Sequence, residues 1–363
     1  MEIAVLGGGN GSFAAAGDLA LAGHQIRMWR RDSVAVAAHR TGGSTITVKD
    51  FRGSRIATPA LVTADIAAAV RGAELIVCPT PAFAQADIAR HLAPHLADGQ
   101  VVFLPPGTFG SLLMAKTAWQ AGNRACVAFA ETGTLPWLAR KHGPCEVQIS
   151  ARGKHLPTGV FPQSRADAAL ATIERAFPDV IRPCGDALSG ALMNAGPIIH
   201  PPLIVMNAAP LEHFEKWDIH NEGTQAAVRR VTDALDRERM AIREALGYAA
   251  PHFPLADHYA TSGPEWMYGR GSHERLTKSG DWRERIVLRE HRYMIEDVRM
   301  GLALLASTAR LAGVAVPLVE AFLSIGSAIC GEDFLRTGRT LASLGIGHLD
   351  RTGLQKLLSE GFA

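Results

Sequence analysis

The sequence Glu2-Ile3-Ala4-Val5-Leu6-Gly7-Gly8-Gly9-Asn10-Gly11-Ser12 decides the fold, because in it a short apolar run ends in a glycine-rich turn. An alanine-rich stretch follows up to Ala22, and Gly23 is a typical helix stop. Residues 24–29 then alternate between polar and apolar side chains like a second strand. This order of strand, helix and strand predicts the start of a parallel sheet that is covered by helices.

The glycine-rich turn has the spacing of a dinucleotide-binding turn. In such turns the first glycine allows the tight bend, the second lets the backbone approach the pyrophosphate, and a third small residue lets helix and strand pack closely. Gly7, Gly9 and Ser12 occupy these positions, although Gly9, Gly11 and Ala14 offer a second register. The turn therefore predicts a nicotinamide dinucleotide, against the alternatives of an ordinary glycine-rich turn or a nucleotide-like ligand such as S-adenosylmethionine. The residues expected to contact the cofactor are Gly7, Gly9, Asn10, Gly11 and Ser12.

The end of the second strand bears on the choice between the two nicotinamide cofactors. An acid there hydrogen-bonds the ribose hydroxyl of NAD, whereas an arginine accommodates the 2′-phosphate of NADP. The sequence reads Trp29-Arg30-Arg31-Asp32. Arg30 and Arg31 favour NADP as the preferred cofactor, and Asp32 keeps NAD as the alternative.

The remaining chain divides into two regions with different patterns. Apolar runs such as Val101 to Leu104 alternate with helix-like segments up to about Gly185. Beyond that point the sequence has the pattern of helices, among them the amphipathic stretch Glu222 to Leu246. We therefore predict an α/β domain of the Rossmann type, with a doubly wound parallel sheet, in residues 1–187, and an all-α domain in residues 188–363.

The composition excludes several classes of protein. A formal charge of +2 over 363 residues gives no basic footprint for nucleic acid. The five cysteines are an odd number without a Cys-x-x-Cys pair, so we expect reduced thiols, no metal site and a cytoplasmic protein. Residues 191–211 lack charged side chains, but prolines interrupt them, so we expect no membrane span. No pattern of a secretion signal precedes the first strand.

The second region contains residue types suited to reducing a C=N or C=O bond, which needs a proton donor and, for a carboxylate substrate, a cationic clamp. His200 lies in the uncharged segment Asn194 to Pro202, where burial and one carboxylate would tune it as an acid or base. A structural core histidine would show the same pattern. Arg292 and Asp297 lie in an acid-rich segment, where Arg292 can equally be a surface residue and Asp297 a residue at a helix N-terminus.

Together these motifs resemble the opine dehydrogenases, the octopine/nopaline dehydrogenase group, over essentially the whole chain. Besides the turn, the resemblance rests on Ala130 to Pro136 with Arg140, Asn194 to Pro201, Arg292-Tyr293 with Glu296-Asp297, and Gly313-Val314 with Pro317. It implies a Rossmann domain, a helical domain of the 6-phosphogluconate dehydrogenase C-terminal type, and a cleft between them. The implied reaction is the NAD(P)H-dependent reductive condensation of an α-keto acid such as pyruvate with the amino group of an amino acid, which gives an N-(carboxyalkyl) amino acid.

The same resemblance implies roles for individual residues. It implies His200 as the catalytic acid/base, Asp297 as the partner that orients the imidazole and raises its pKa, and Arg292 as the clamp for a substrate carboxylate. In a continuous α-helix, residues 292 and 297 would point about 140° apart. We therefore expect the helix that carries Asp297 to begin near residue 296.

Two loops and one buried amide complete the predicted site. Pro79 and Thr80 follow one predicted strand and Glu131 and Thr134 follow another, and ligands of open α/β sheets collect at such strand ends. We expect Pro79, Thr80 and Glu131 beside the cofactor, and Thr134 beside the substrate together with Asn194 from the resemblance. The alternative is that these loop residues have a structural role.

Two other functions stay open. The first is a two-domain hydroxy-acid, polyol-phosphate or ketopantoate-type reductase, which relies on a lysine in the helical domain; Lys216 and Lys278 are available but lie in no recognisable motif. The second is a nicotinamide-binding sensor without turnover.

We also expect small-molecule substrates, a helical domain with surface for a homodimer, and between Tyr248 and Arg292 either a mobile lid or a solvated connection.

Overall fold

The computed structural model describes residues 1–259, 262–263, 265–278 and 280–362. Contacts divide the chain into two compact units. The sheet unit comprises Met1–Thr80, Ala84–Ala191 and the residues from Leu358 onward, and the helical unit comprises Pro81–Phe83 and Leu192–Leu357. The predicted boundary after residue 187 falls inside a short helix, Ala187–Ala191. This helix belongs to the sheet unit because Gly190 lies directly against the backbone of Gly159.

The strands follow in chain order: β1 (Glu2–Leu6), β2 (Gln25–Trp29), β3 (Ile46–Asp50), β4 (Gly53–Ala57), β5 (Leu61–Thr63), β6 (Leu75–Val77), β7 (Val101–Leu104), β8 (Ala128–Thr132), β9 (Trp137–Gly143), β10 (Glu146–Arg152), β11 (Leu156–Phe161), β12 (Ile181–Asp186), β13 (Trp217–Asp218) and β14 (Arg283–Glu284).

The α-helices are α1 (Asn10–Leu21), α2 (Ser33–Thr41), α3 (Ile66–Val70), α4 (Ala82–Leu92), α5 (Gly110–Gln120), α6 (Ala166–Glu174), α7 (Ala187–Ala191), α8 (Gly196–Met206), α9 (Ala208–His213), α10 (Ala226–Ala245), α11 (Ser272–Lys278), α12 (Ala303–Ala312), α13 (Pro317–Cys330), α14 (Phe334–Thr337) and α15 (Arg351–Glu360). A π-helix, Tyr293–Leu302, precedes α12.

The main sheet of the sheet unit has the strand order β12-β11-β8-β7-β6-β1-β2-β5. Neighbouring strands are parallel except β8 and β11, which are antiparallel. The order reverses at β1, because the chain continues first to β2 on one side and later to β6 on the other. The predicted doubly wound parallel sheet is confirmed, and its ligands are expected at the carboxyl ends of β1 and β6, beside this reversal.

A second sheet, which the sequence interpretation missed, has the order β4-β3-β10-β9. Its β3 and β10 are parallel, and its other pairs are antiparallel. Helix α1 contacts strands of both sheets. A Cβ on Gly17 of α1 would clash with the side chain of Val48 on β3. The small residues of the alanine-rich stretch therefore let α1 pack closely against this second sheet.

The helical unit is built from α8, α10, α12, α13 and the π-helix, which contact one another. Among the described residues it has two strands, β13 and β14, which pair with each other. The predicted helical character of this region is therefore confirmed, although the prediction of an all-α domain did not include this short strand pair. No helix in the described part of the chain is long and apolar enough to cross a membrane. Of the predicted lid segment, Ala260, Thr261, Pro264 and Ser279 lie outside the described residues.

The helix that carries Asp297 differs from expectation. It begins at Tyr293 with Arg292 as its N-cap, rather than near residue 296, and it is π-helical up to Leu302 before it continues as α12. Backbone hydrogen bonds in a π-helix join residues i and i+5, so residues five apart lie on about the same face. Arg292 and Asp297 therefore share a face without a helix start near residue 296.

Candidate active site

His200 and Asp297 form a hydrogen-bonded pair in the helical unit. His200 lies on α8 and Asp297 on the π-helix, and Nδ1 of His200 is 2.7 Å from Oδ2 of Asp297. Helix α8 and the π-helix pack closely because each carries a glycine where they meet, Gly196 on α8 and Gly301 on the π-helix. A Cβ on Gly196 would clash with the carboxylate of Asp297, and a Cβ on Gly301 would clash with the ring of Pro197. These glycines permit the short distance between imidazole and carboxylate.

Burial governs the ionisation of this pair. Burial and the nearby charge of Arg292 lower the pKa of His200 well below its ordinary value, and Glu296 acts in the opposite sense. Burial raises the pKa of Asp297 to about 7, against the effect of Arg292. The pKa of His200 is therefore shifted downward, against the expected rise beside an aspartate, because desolvation and Arg292 outweigh the attraction of the nearby acid Glu296. A neutral imidazole that donates from Nδ1 to the carboxylate leaves Nε2 for proton exchange.

Arg292 places an available positive charge beside the pair. Its charge influences the pKa values of both His200 and Asp297. The side chain is exposed, and its guanidinium carbon lies 5.4 Å from the centroid of the Tyr293 ring. Within the part of the chain that the structure describes, it forms no hydrogen bond or ion pair through its side chain. Such a guanidinium can hold a planar carboxylate through two parallel hydrogen bonds.

Aromatic residues that sequence reasoning missed fix the plane of the imidazole. The rings of Tyr293 and His200 stack with centroids 3.6 Å apart and 7° between their planes. Nε2 of His220 lies 3.1 Å from the hydroxyl of Tyr293, and the His220 ring contacts Trp282 edge-on at 4.8 Å. Asp297 thus holds His200 at its edge and Tyr293 holds it at its face. The position of Tyr293 next to Arg292 in the segment 292–297 was a signal that could have predicted its role, whereas no sequence pattern points to His220.

The glycine-rich turn connects β1 to α1 in the sheet unit. Gly7 has a φ of +112°, which favours glycine, and a Cβ there would lie 2.6 Å from Oγ of Ser12. Ser12 is buried, and its hydroxyl donates a hydrogen bond of 3.2 Å to the carbonyl oxygen of Leu6. These contacts correspond to the first of the two registers, with serine as the third small residue.

The N-terminus of α1 has the features of an anion site. Its N-cap, Gly9, has no side chain to bind the free backbone N–H groups, and a Cβ there would meet no atom within 4 Å. The side chain of Asn10 accepts a hydrogen bond from the backbone N–H of Lys141 instead, at 3.0 Å. The open space at Gly9 and the uncapped N–H groups fit the pyrophosphate of a dinucleotide, which the helix dipole also favours.

The loop after β6 lies beside this turn. A Cβ on Gly7 would lie 3.0 Å from Cγ2 of Thr80, and a Cβ on Gly11 would lie 3.1 Å from Cβ of Pro79. Pro79 and Thr80 are therefore brought to the glycine-rich turn. Both elements lie where the strand order reverses, which is the usual ligand position in such sheets.

Besides Arg292, two residues were expected beside the substrate, Asn194 and Thr134, and they lie in different units. Asn194 is buried in the helical unit, where its Oδ1 accepts a hydrogen bond from the backbone N–H of Gly196 at 3.0 Å. That glycine is the one against which Asp297 packs. Thr134 is half-buried between β8 and β9 of the sheet unit. The structure therefore places Asn194 near the start of the helix that carries His200, whereas Thr134 belongs to the other unit.

The three charged residues after β2 have separate positions. Arg31 is exposed and pairs with Asp87 at 2.9 Å. Asp32 caps α2, because its side chain accepts a hydrogen bond from a backbone N–H in the first turn of that helix. Arg30 lies against the glycine-rich turn, where its Nε would be 3.1 Å from a Cβ on Gly8. Of the three, Arg30 is the residue that the structure brings to the turn.

Glu131 is fully buried and serves the structure of the sheet unit. Its carboxylate accepts hydrogen bonds from the backbone N–H groups of Phe109, at 2.7 Å, and Ser111, at 3.3 Å, and from the Ser111 hydroxyl. Phe109 is the N-cap of α5, so the carboxylate caps this helix. A Cβ on Gly107 would clash with Glu131. These contacts favour the structural alternative over a contact with the cofactor.

Replacing Glu131 by glutamine is expected to lower the free energy of unfolding by about 2–3 kcal/mol, because the amide nitrogen cannot accept the buried N–H groups. Denaturant unfolding measures this loss. The dissociation constant for the dinucleotide should change less than about twofold, which a fluorescence titration measures. Glu146→Gln is the matched control, since its partner Lys49 is partly exposed and the loss should stay below about 1 kcal/mol. Unchanged stability with strongly weakened cofactor binding would contradict the capping role.

Two family models match the chain. The model described as NAD/NADP octopine/nopaline dehydrogenase, alpha-helical domain, matches residues 183–330. The model described as NAD-dependent glycerol-3-phosphate dehydrogenase N-terminus matches residues 2–106. The first match includes His200, Arg292 and Asp297, and the second includes the glycine-rich turn and strands β1 to β7.

Relatives match over nearly the whole chain. Opine dehydrogenase from Arthrobacter sp. (strain 1C) is 29% identical over 357 residues, which cover 97% of this chain and 97% of the relative. Vitopine synthase from Allorhizobium ampelinum is 29% identical and covers 95% of this chain and 96% of its own. A structure of octopine dehydrogenase with NADH and pyruvate superposes with a TM-score of 0.71 at 18% identity, covering 99% of this chain and 98% of that one. The structural match shows a shared fold.

Proposed function

This chain is a member of the octopine/nopaline dehydrogenase group, and on that premise we propose that it is an NAD(P)H-dependent opine dehydrogenase. In the proposed reaction an α-keto acid such as pyruvate condenses with the amino group of an amino acid, and the resulting imine is reduced to an N-(carboxyalkyl) amino acid. The observation that carries the proposal is the His200–Asp297 pair with Arg292 beside it.

The sheet unit would hold the cofactor. The uncapped N-terminus of α1 and the open space at Gly9 would receive the pyrophosphate, with Pro79 and Thr80 beside the turn. We accordingly assign cofactor binding to residues 1–187 and substrate binding to residues 188–363. When bound, the reduced nicotinamide supplies a hydride to the imine carbon. Glu131 of the sheet unit has no role as an acid or base in this assignment, because its carboxylate caps α5.

The helical unit would provide the proton chemistry. Condensation of keto acid and amine releases water, and reduction of the imine consumes one proton besides the hydride. Asp297 holds Nδ1 of His200, so Nε2 is the atom that delivers the proton to the reacting centre and removes it in the reverse reaction. Tyr293, stacked on the imidazole, keeps Nε2 in a fixed direction.

Arg292 would orient the substrate and also prepare His200. Its guanidinium can bind a substrate carboxylate through two hydrogen bonds and so fix the imine carbon. The charge of Arg292 is one of the causes that lower the pKa of His200. A bound carboxylate neutralises this charge, so the pKa of His200 rises when the substrate is present. Substrate binding therefore favours the protonated imidazole that reduction requires.

The alternative reductases are not favoured. They rely on a lysine in the helical domain, but Lys278 is exposed and pairs with Glu274, and Lys216 is an exposed residue beside β13. The helical part of the chain matches the octopine/nopaline model instead. A sensor without turnover has no need of a histidine, a carboxylate and an arginine placed to exchange a proton and bind an acid.

A two-substrate assay tests the proposed function. Oxidation of NADPH and NADH is followed with pyruvate and other α-keto acids, each alone and together with a panel of amino acids. We expect oxidation that requires both a keto acid and an amino acid. Equal rates with a keto acid alone would indicate a hydroxy-acid type reductase, and the absence of turnover across the panel would support the sensor.

A further inference from the structure

Two cations flank the glycine-rich turn at Gly8. The backbone oxygen of this glycine accepts a hydrogen bond from Nζ of Lys141, on β9, at 3.4 Å, and a Cβ on it would lie 3.1 Å from Nε of Arg30. Both cations also lie over the ring of Phe13, with Nζ of Lys141 at 3.9 Å and Cζ of Arg30 at 5.3 Å from its centroid. Phe13 is fully buried, so the ring gives both cations a fixed support.

Neither cation is paired with an acid in the described part of the chain. Among the residues that the structure describes, no carboxylate lies within 4.0 Å of the charged nitrogens of Arg30 or Lys141. Two other partly buried cations of the sheet unit are neutralised, by contrast. Lys49 pairs with Glu146 at 2.8 Å, and Arg152 pairs with two aspartates at 2.6 Å. Burial and the charge of Arg30 lower the pKa of Lys141, which is the effect expected of adjacent uncompensated charges.

This pair of cations lies where a dinucleotide presents its adenosine ribose. Arg30 directly follows β2, and in such folds the residues at the end of this strand contact the 2′ substituent of the ribose. Gly8 lies between Gly7 and Gly9 of the turn. The pyrophosphate is expected at the N-terminus of α1. The two cations beside Gly8 form a separate site, which would bind a second anionic group of the ligand. Of the two nicotinamide cofactors, NADP alone has one, the 2′-phosphate.

We propose that Arg30 and Lys141 together bind the 2′-phosphate of NADP(H), and that Lys141 is the second residue that selects this cofactor. The inference rests on the proposed dinucleotide site and deepens it. It replaces Arg31, which is exposed and paired with Asp87, as the second cation. Asp32 does not select for NAD, because its side chain caps α2.

The position of Lys141 depends on the tertiary structure. The side chain of Asn10, at the start of α1, accepts a hydrogen bond from the backbone N–H of Lys141 at 3.0 Å, and this bond ties β9 to the turn. The two residues are 131 positions apart in the sequence. Local patterns around the glycine-rich turn therefore gave no sign of the lysine.

Binding of NADPH, NADH and adenosine 2′,5′-bisphosphate to the purified protein tests the inference. Lys141→Gln is expected to weaken NADPH and the bisphosphate by at least about tenfold, the size of one charged hydrogen bond, and to change NADH less than about twofold. Arg30→Gln should weaken the same two ligands, and Lys141→Arg should retain NADPH affinity. Isothermal titration calorimetry measures all affinities without turnover, and circular dichroism verifies that each variant is folded.

Two substitutions serve for comparison. Lys49→Gln changes a paired lysine of the same second sheet and should leave both cofactor affinities unchanged. Arg31→Gln should change NADPH affinity less than about twofold. Equal losses for NADPH and NADH in Lys141→Gln, or a loss confined to Arg31→Gln, would overturn the proposed 2′-phosphate site. A wild-type protein that binds neither cofactor would refute the dinucleotide site itself, which is a separate result.

Discussion

Replacing His200 by alanine is expected to lower kcat for reductive condensation by at least about 100-fold, the usual contribution of a general acid or base. Nε2 of His200 is the proton-exchanging atom in the proposed reaction, because Asp297 occupies Nδ1 at 2.7 Å. The substitution also removes the ring that stacks on Tyr293. Steady-state kinetics with saturating keto acid, amino acid and NADPH measure the loss.

The cofactor site provides an internal check on this prediction. NADPH binding depends on the sheet unit, so its dissociation constant in His200→Ala should stay within about twofold of the wild-type value. His348→Ala, an exposed histidine of the helical unit, is the matched control and should retain full turnover. Wild-type turnover in His200→Ala would show that His200 is not the general acid or base.

Replacing Arg292 by glutamine is expected to lower kcat/KM for the keto acid by about 10²–10³, since truncating one partner of a hydrogen-bonded charge pair costs about 2–5 kcal/mol. The guanidinium forms no hydrogen bond or ion pair with the described residues, so a substrate carboxylate would be its counter-ion. Arg292→Lys should recover only part of the loss, because an ammonium cannot form two parallel hydrogen bonds to a carboxylate.

Steady-state kinetics at varied keto acid and varied amino acid locate the effect of Arg292. Arg285→Gln changes an exposed arginine of the helical unit and should leave kcat/KM unchanged. Wild-type kcat/KM for both substrates in Arg292→Gln would show that the arginine binds neither carboxylate. A loss of kcat alone, with unchanged KM values, would assign to Arg292 only its electrostatic effect on His200.

The sequence predicted the features that depend on local order along the chain. The strand, turn and helix at the N-terminus confirmed the Rossmann-type prediction, whereas the helix that carries Asp297 was expected to begin near residue 296 and begins at Tyr293. The second sheet was missed although Ile46 and Val48 alternate with polar residues as in a half-buried strand. Its two hairpins, β3-β4 and β9-β10, are joined by the pairing of β3 with β10, about 100 positions apart in the sequence, and no local pattern specifies that pairing.

Other features could not be predicted because they arise from packing. The π-helix that brings Arg292 and Asp297 to one face has no sequence signature that we recognise. Glu131 lies at a strand end, where ligand contacts are common, but α5 places its N-terminus on the carboxylate. The lowered pKa of His200 results mainly from burial, which outweighs the attraction of Glu296. For Glu131 and His200, neighbours distant in sequence decide the role of the side chain.

The most direct test of the proposed reaction follows the hydride into the product. NADPH that carries deuterium at nicotinamide C4 is incubated with the protein, pyruvate and an amino acid that supports turnover, and the products are identified by mass spectrometry and NMR. The proposed mechanism predicts a secondary amine that contains the carbon skeletons of both substrates, with deuterium on the former keto carbon. Deuterated lactate beside unreacted amino acid would contradict it.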